Sequence, residues 1–122
     1  MAGVQDRNGR VIIKNATAHP VRVLKQDGYV TSFPPSGFVV RVREVRTPVL
    51  TLDGVVVERV SFQPLTPVPP REEGVIWIVS RMVRYAYPDR MDFVSPARPM
   101  KDGHGSIFAS QSLETDGDDE DE

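Results

Sequence analysis

Apolar and polar residues alternate along much of the first sixty positions, and turn residues separate the alternating runs. Two pairs of these runs flank an Asp-Gly dipeptide: residues 21–25 with 29–33 around Asp27-Gly28, and 49–52 with 55–60 around Asp53-Gly54. A two-residue period is typical of half-buried strands, and Asp-Gly between such runs is a strong signal for a β-hairpin. The pattern therefore predicts hairpins, with another strand over residues 11–14.

Residues 38–45 alternate apolar side chains with Arg41 and Arg43, which predicts a strand with one buried face and one cationic face. Four prolines follow within residues 63–71 and predict an extended crossover, because proline lacks the backbone donor of helices and ladders. A proline-rich docking ligand is the other interpretation of this segment.

The run from Val75 to Val79 is apolar at every position, as in a strand that is covered on both faces. We expect it to be the central strand and Trp77 to be buried. A short helix over residues 81–87 follows, with Ser80 as its N-cap and Pro88 beyond its end. The pattern places Met82 and Val83 toward the core and Arg81 and Arg84 outside.

These elements predict a mainly β fold, at the margin of α+β: a small antiparallel sandwich or open barrel with one short helix. A length of 122 residues fits a single domain, which we place at residues 11–113. Residues 1–10 are expected to be a flexible N-terminus. Residues 114–122 are expected to be a disordered acidic tail.

Charge divides the chain into two unequal parts. Seven of the 17 acidic residues lie in positions 114–122, so the rest of the chain has 15 basic and 10 acidic residues. The tail either keeps the protein in solution or folds back and screens the cationic body from nucleic acid. The chain has no cysteine, which excludes disulfides and thiolate metal sites. With no apolar run that could cross a bilayer, we expect no membrane partner and a location in the cytoplasm, inside a host cell.

The densest polar cluster next to a core element follows the central strand. We predict a binding rim there, and the ends of the hairpins supply two further candidates, so the predicted site residues are Ser80, Arg81, Arg84, Asp89, Arg90, Asp92, His19 and Ser36. In this prediction Asp89 holds one arginine through a bidentate pair and leaves another free for an anionic partner.

Four short motifs occur in a fixed order along the chain: Asn15-x-Thr17-x-His19, Pro34-Pro35-Ser36-Gly37, Ile78-Val79-Ser80-Arg81 and Pro88-Asp89-Arg90. In these motifs, over about residues 11–113, the chain resembles a group of small uncharacterised proteins of tailed phages and bacteria. Ala18 departs from the proline that the group's pattern has before the histidine. The resemblance implies a phage-like context and no particular reaction.

Catalytic and metal-binding patterns are incomplete. Neither His19 nor His104 has ligands at zinc-like spacing, so we predict no metal and no cofactor. Ser36 lacks the Gly-x-Ser-x-Gly elbow of serine nucleophiles, and Ser80 fits a helix cap. Arg41 and Arg43 could contact phosphates weakly, but few aromatic residues are available for base stacking.

Three functions remain open. The favoured hypothesis is a non-enzymatic binding module that captures a host protein or an anionic small molecule at the rim. The second is a structural or assembly protein of a virus-like particle, a homo-oligomer joined through exposed hairpin edges. The third is a small hydrolase or nuclease that uses His19 with Asp89 or Asp92.

Overall fold

A computed structural model describes residues 9–116, and these residues form eight strands and one helix. In chain order the elements are β1 (Ile12–Asn15), β2 (Val21–Leu24), β3 (Val30–Phe33), β4 (Val42–Leu52), β5 (Val55–Pro64), β6 (Val75–Ile78), α1 (Arg81–Ala86), β7 (Phe93–Lys101) and β8 (Ile107–Glu114). The predicted mainly β class with one short helix is confirmed for this part of the chain.

Six strands form a curled sheet in the order β1-β6-β7-β8-β2-β3, and β4 pairs with β5 in a separate ribbon. The curled sheet is a nearly closed barrel, because its edge strands β1 and β3 come together at Asn15, which bridges to Pro35 and bonds to the Phe33 carbonyl, without pairing along their length. Pairing is mixed where an antiparallel fold was predicted, since β1–β6, β6–β7 and β2–β8 run parallel. Asp-Gly turns report only local hairpins, whereas parallel pairs form through long crossovers such as β6–α1–β7.

Strand β6 lies between two halves of the core, as its continuous apolar sequence predicted. Ile76 and Ile78 face the inside of the barrel, where they pack with Val94. Trp77 and Val79 face the other way, into a layer closed by Val83 of the helix. Trp77 is 5% exposed, which confirms its predicted burial.

The ribbon is longer than the sequence pattern predicted. The runs 38–45 and 49–52 were expected to be separate strands, but β4 continues through both from Val42 to Leu52. Residues 46–48, between the two runs, include no Gly, Asn or Asp that would favour a turn. Pro48 is tolerated there because β4 is an edge strand. Arg41 lies before the strand, so the predicted stripe of Arg41 and Arg43 on one strand face is wrong.

Helix α1 begins where predicted and buries a different set of residues. The Ser80 hydroxyl accepts a hydrogen bond from the Val83 amide at 3.2 Å, which confirms the predicted N-cap. Met82 is 39% exposed, whereas Arg84, expected outside, is 6% exposed. A six-residue helix has too few positions to define its buried face, and the partners that admit Arg84 come from distant β7 and β8.

The predicted boundary of the acidic tail also moves. Glu114 is the last residue of β8, and the Thr115 hydroxyl donates a hydrogen bond to the carbonyl of Phe93. The tail therefore begins later than residue 114, and residues 117–122 lie outside the described part of the chain, as do residues 1–8 of the predicted flexible N-terminus. Between residues 9 and 116, no helix has the length and apolar character that a membrane crossing requires.

Candidate functional site

The arginines of the predicted rim are already paired. Arg90 forms a bidentate pair with Asp92, with Nε–Oδ1 and Nη2–Oδ2 distances of 2.8 Å. The Arg90 guanidinium also lies 4.3 Å from the centroid of the Phe93 ring. The prediction that Asp89 holds an arginine by its carboxylate is wrong for residues 9–116, where only its backbone carbonyl takes part, as acceptor for Arg71. Asp92, two residues after Arg90, is the carboxylate that forms the bidentate pair predicted for Asp89.

Arg81 and Arg84 contact the end of β8. Arg84 donates from Nε to the Ser95 hydroxyl at 3.0 Å and from Nη1 to the Asp116 carboxylate at 2.6 Å. Glu114 accepts from both arginines, at 3.2 Å from Arg81 and 3.4 Å from Arg84. The acidic end of the described chain thus folds back on the helix. Neither Arg81 nor Arg84 is the free arginine that was predicted for an anionic partner.

His19 and Ser36 are brought together through a residue that sequence reasoning did not select. Asn15 is 1% exposed, and its amide donates at 2.8 Å to the carbonyls of His19 and of Phe33. Its Oδ1 accepts from the Thr17 amide at 2.9 Å, and its own carbonyl accepts from the Ser36 amide. The Asn-x-Thr-x-His motif therefore ties two loops to β1, with the His19 imidazole left exposed.

A cleft of about 390 Å³ joins two of the predicted site residues. His19 and Ser80 both line it, with Thr17 and Arg41 among the other residues. The Arg41 amide donates to the Thr66 hydroxyl at 2.9 Å, but its guanidinium has no ion-pair partner within residues 9–116. An arginine without an ion-pair partner thus lines this cleft, whereas the three arginines of the predicted rim are paired.

The far end of the β4–β5 ribbon is a surface that sequence reasoning missed as a site. Leu50 lies opposite Val57, and Leu52 opposite Val55. Opposite residues, and residues two apart on a strand, share a face, so these four aliphatic side chains form one patch. The exposed fractions are 47% for Leu50, 38% for Val57, 61% for Leu52 and 63% for Val55. We refer to Leu50, Leu52, Val55 and Val57 as the tip patch.

Charges near the tip patch are few and mostly satisfied. Arg46 pairs with Glu44 at 3.1 Å and with Glu58 at 3.5 Å, and these two carboxylates raise the pKa of the Arg46 guanidinium. Asp53 in the turn and Arg59 form no ion pair within residues 9–116. The ribbon therefore presents an apolar patch bordered by one free carboxylate and one free guanidinium.

Support for the hydrolase hypothesis is weak in this geometry. Both oxygens of the Asp92 carboxylate are held by Arg90, which leaves that group poorly placed as a partner for His19. In the part of the chain that is described, no three His, Cys, Asp or Glu residues are grouped as a metal site would require.

Comparison with known proteins identifies no relative. No protein-family model, curated protein or solved structure matches this chain, so the resemblance to phage proteins stays a prediction, and any function must be argued from the fold itself.

Proposed function

We propose that this protein is a non-enzymatic binding and assembly protein whose copies join through the β4–β5 ribbon. The observation that carries the proposal is the tip patch, an exposed aliphatic surface on a ribbon that extends from the barrel. Two-stranded ribbons are marginally stable in water, and exposed apolar patches at such positions mark contact surfaces. We take a second copy of the chain as the partner of the tip patch, because a second copy is present wherever the chain itself is present.

The two edges of the ribbon differ in a way that selects β5 as the contact strand. Strand β4 carries Pro48 and a register shift between Pro48 and Leu50, and both features oppose the addition of another strand. Strand β5 has no proline before Pro64 at its end. An antiparallel β5–β5 pair would therefore form a closed dimer, with the blocked β4 strands as its outer edges.

Side-chain pairing supports the same arrangement. In a two-fold pair centred on Val56, Val55 lies opposite Val57 of the second copy, and Arg59 lies opposite the turn that contains Asp53. Asp53 and Arg59 would then each meet an opposite charge, and Val55 would meet Val57 of the second copy. A nucleic-acid partner is disfavoured here, because the ribbon residues 49–57 carry no basic side chain.

Analytical ultracentrifugation of matched variants tests the proposal. The wild type should sediment as a dimer, and replacement of the four tip-patch residues by serine should give a folded monomer. The double variant Tyr29→Ser/Val30→Ser is the control, since it removes comparably exposed apolar side chains from another hairpin. A monomeric wild type, or a tip variant that still dimerises, would contradict the proposal.

Charge reversal tests the pairing register. Arg59→Glu would set two carboxylates against each other across the interface, so the dimer Kd should rise about tenfold or more. Arg22→Glu reverses an exposed arginine of β2 and should leave the Kd unchanged. Equal effects of the two reversals would exclude this register.

Capture of an anionic small molecule is the second candidate, and the Arg41 cleft favours it. Arg41 supplies an unpaired cation, while the His19 imidazole and the Ser80 hydroxyl supply hydrogen-bonding groups around the same cleft. Titration with inorganic phosphate, followed by NMR, should shift resonances of residues 17–19 and 41 in the wild type and not in Arg41→Gln. Shifts confined to other surfaces would remove this candidate. The resemblance to phage proteins adds a virus-like particle, within a host cell, as the setting of either role.

A further inference from the structure

A second cavity lies at the gap where the barrel fails to close. It has a volume of about 660 Å³ and is lined by residues of β1, β2, β3 and β8. Strands β1 and β3 do not pair as strands within residues 9–116: they are joined at Asn15, which bridges to Pro35 just beyond β3 and donates a hydrogen bond to the Phe33 carbonyl. Away from Asn15 the sheet is open along this edge, and one side of the inner core is left uncovered. Volumes of this order are typical of sites for small organic molecules.

The wall of the cavity is the uncovered side of the inner core. Ile13, Phe33 and Leu113 line the cavity and also pack against the buried cluster of β6 and β7 side chains inside the barrel. All three are only partly buried. A ligand that covered them would remove apolar surface from water without any rearrangement of the fold.

The rim offers neutral hydrogen-bonding groups. Thr31, Gln111 and Ser112 line the cavity, and their side chains have no hydrogen-bond partner among residues 9–116. The two charged groups at the rim, Lys25 and Asp27, pair with each other at 3.3 Å. Asp27 also accepts a hydrogen bond from the Tyr29 amide, which holds this pair in the β2–β3 turn.

We propose that this cavity binds one small, uncharged, amphipathic molecule. Its apolar part would lie against Ile13, Phe33 and Leu113, and a hydroxyl, carbonyl or amide group would reach the free side chains of Thr31 and Gln111. An anionic ligand fits less well, because the Lys25 ammonium is already neutralised by Asp27. The inference is independent of the ribbon, which contributes no residue to this cavity.

Binding of the neutral fluorescent probe N-phenyl-1-naphthylamine tests the proposal. The wild type should bind one equivalent per chain in a saturable titration. Thr31→Phe places a ring in the cavity and should weaken the probe Kd at least tenfold. Ser32→Phe is the matched control, because the next residue of a strand points to the opposite face, and it should bind like the wild type.

Two further measurements keep the result interpretable. The four-serine tip variant should retain probe binding, and its loss there would assign the probe to the ribbon and overturn the proposal. NMR shift mapping on the wild type should place the probe next to Ile13, Phe33 and Leu113 even if Thr31→Phe fails to fold. No saturable binding, or shifts confined to other surfaces, would equally overturn it.

Discussion

At the scale of single residues, a buried amide and not an ionisable group organises the loops beside β1. Asn15 makes hydrogen bonds with both ends of its side chain, to Thr17 on one side and to the carbonyls of His19 and Phe33 on the other. A carboxylate has no donor for those two carbonyls, so the arrangement requires an amide. The Asn15 amide therefore has a structural role, in which the exposed His19 ring takes no part.

Substitution of Asn15 by aspartate should consequently destabilise the protein strongly. The change replaces two donated hydrogen bonds by repulsion between buried oxygens, and we expect the free energy of unfolding to fall by about 2–4 kcal/mol. His19→Ala keeps the backbone carbonyl and should change it by less than about 0.5 kcal/mol. Urea denaturation of both variants measures the difference, and equal stabilities would refute this role of Asn15.

At the scale of elements, the end of β8 and helix α1 depend on each other. Arg84 is buried against β7, and its counter-charges Glu114 and Asp116 come from the end of the described chain. A buried guanidinium without a counter-charge is costly, because its desolvation is then uncompensated. The acidic residues nearest the body are thus part of the fold.

Two truncations separate the fold from the remainder of the tail. Removal of residues 114–122 should lower the free energy of unfolding by about 1–3 kcal/mol, a range reduced because both carboxylates are partly exposed. Removal of residues 117–122 alone keeps Glu114 and Asp116 and should have little effect. Arg84→Met in the protein that lacks residues 114–122 should recover part of the loss, because the uncompensated guanidinium is then removed. Thermal melts that coincide for the two truncations would contradict the dependence.

How much of the structure the sequence could predict depends on how far along the chain each sequence pattern acts. Asp27-Gly28, Asp53-Gly54 and the Ser80 cap act within a few residues, and the hairpins and the helix start appear as predicted. The parallel pairs and the burial of Arg84 depend on residues far along the chain, which periodicity does not reveal. Sequence reasoning missed the tip patch because an apolar strand pattern does not distinguish a strand that packs on a core from one that lies in solvent.

At the scale of the whole molecule, the chain combines a barrel body with a ribbon that has little support from it. The body encloses two core layers around β6, whereas the tip patch exposes its aliphatic side chains. The ribbon proposed as the contact between copies and the barrel cavity proposed for a neutral small molecule lie on different elements. The two bindings can therefore be measured separately on the same protein.

Hydrogen–deuterium exchange, read by mass spectrometry, tests the role of the ribbon most directly. We predict that amides of β5 exchange more slowly at concentrations where the wild type is dimeric than after dilution, while amides of β4 change less. The four-serine tip variant should show fast β5 exchange at every concentration. The account would be contradicted if dimer formation protected other strands and left the exchange of β5 unchanged.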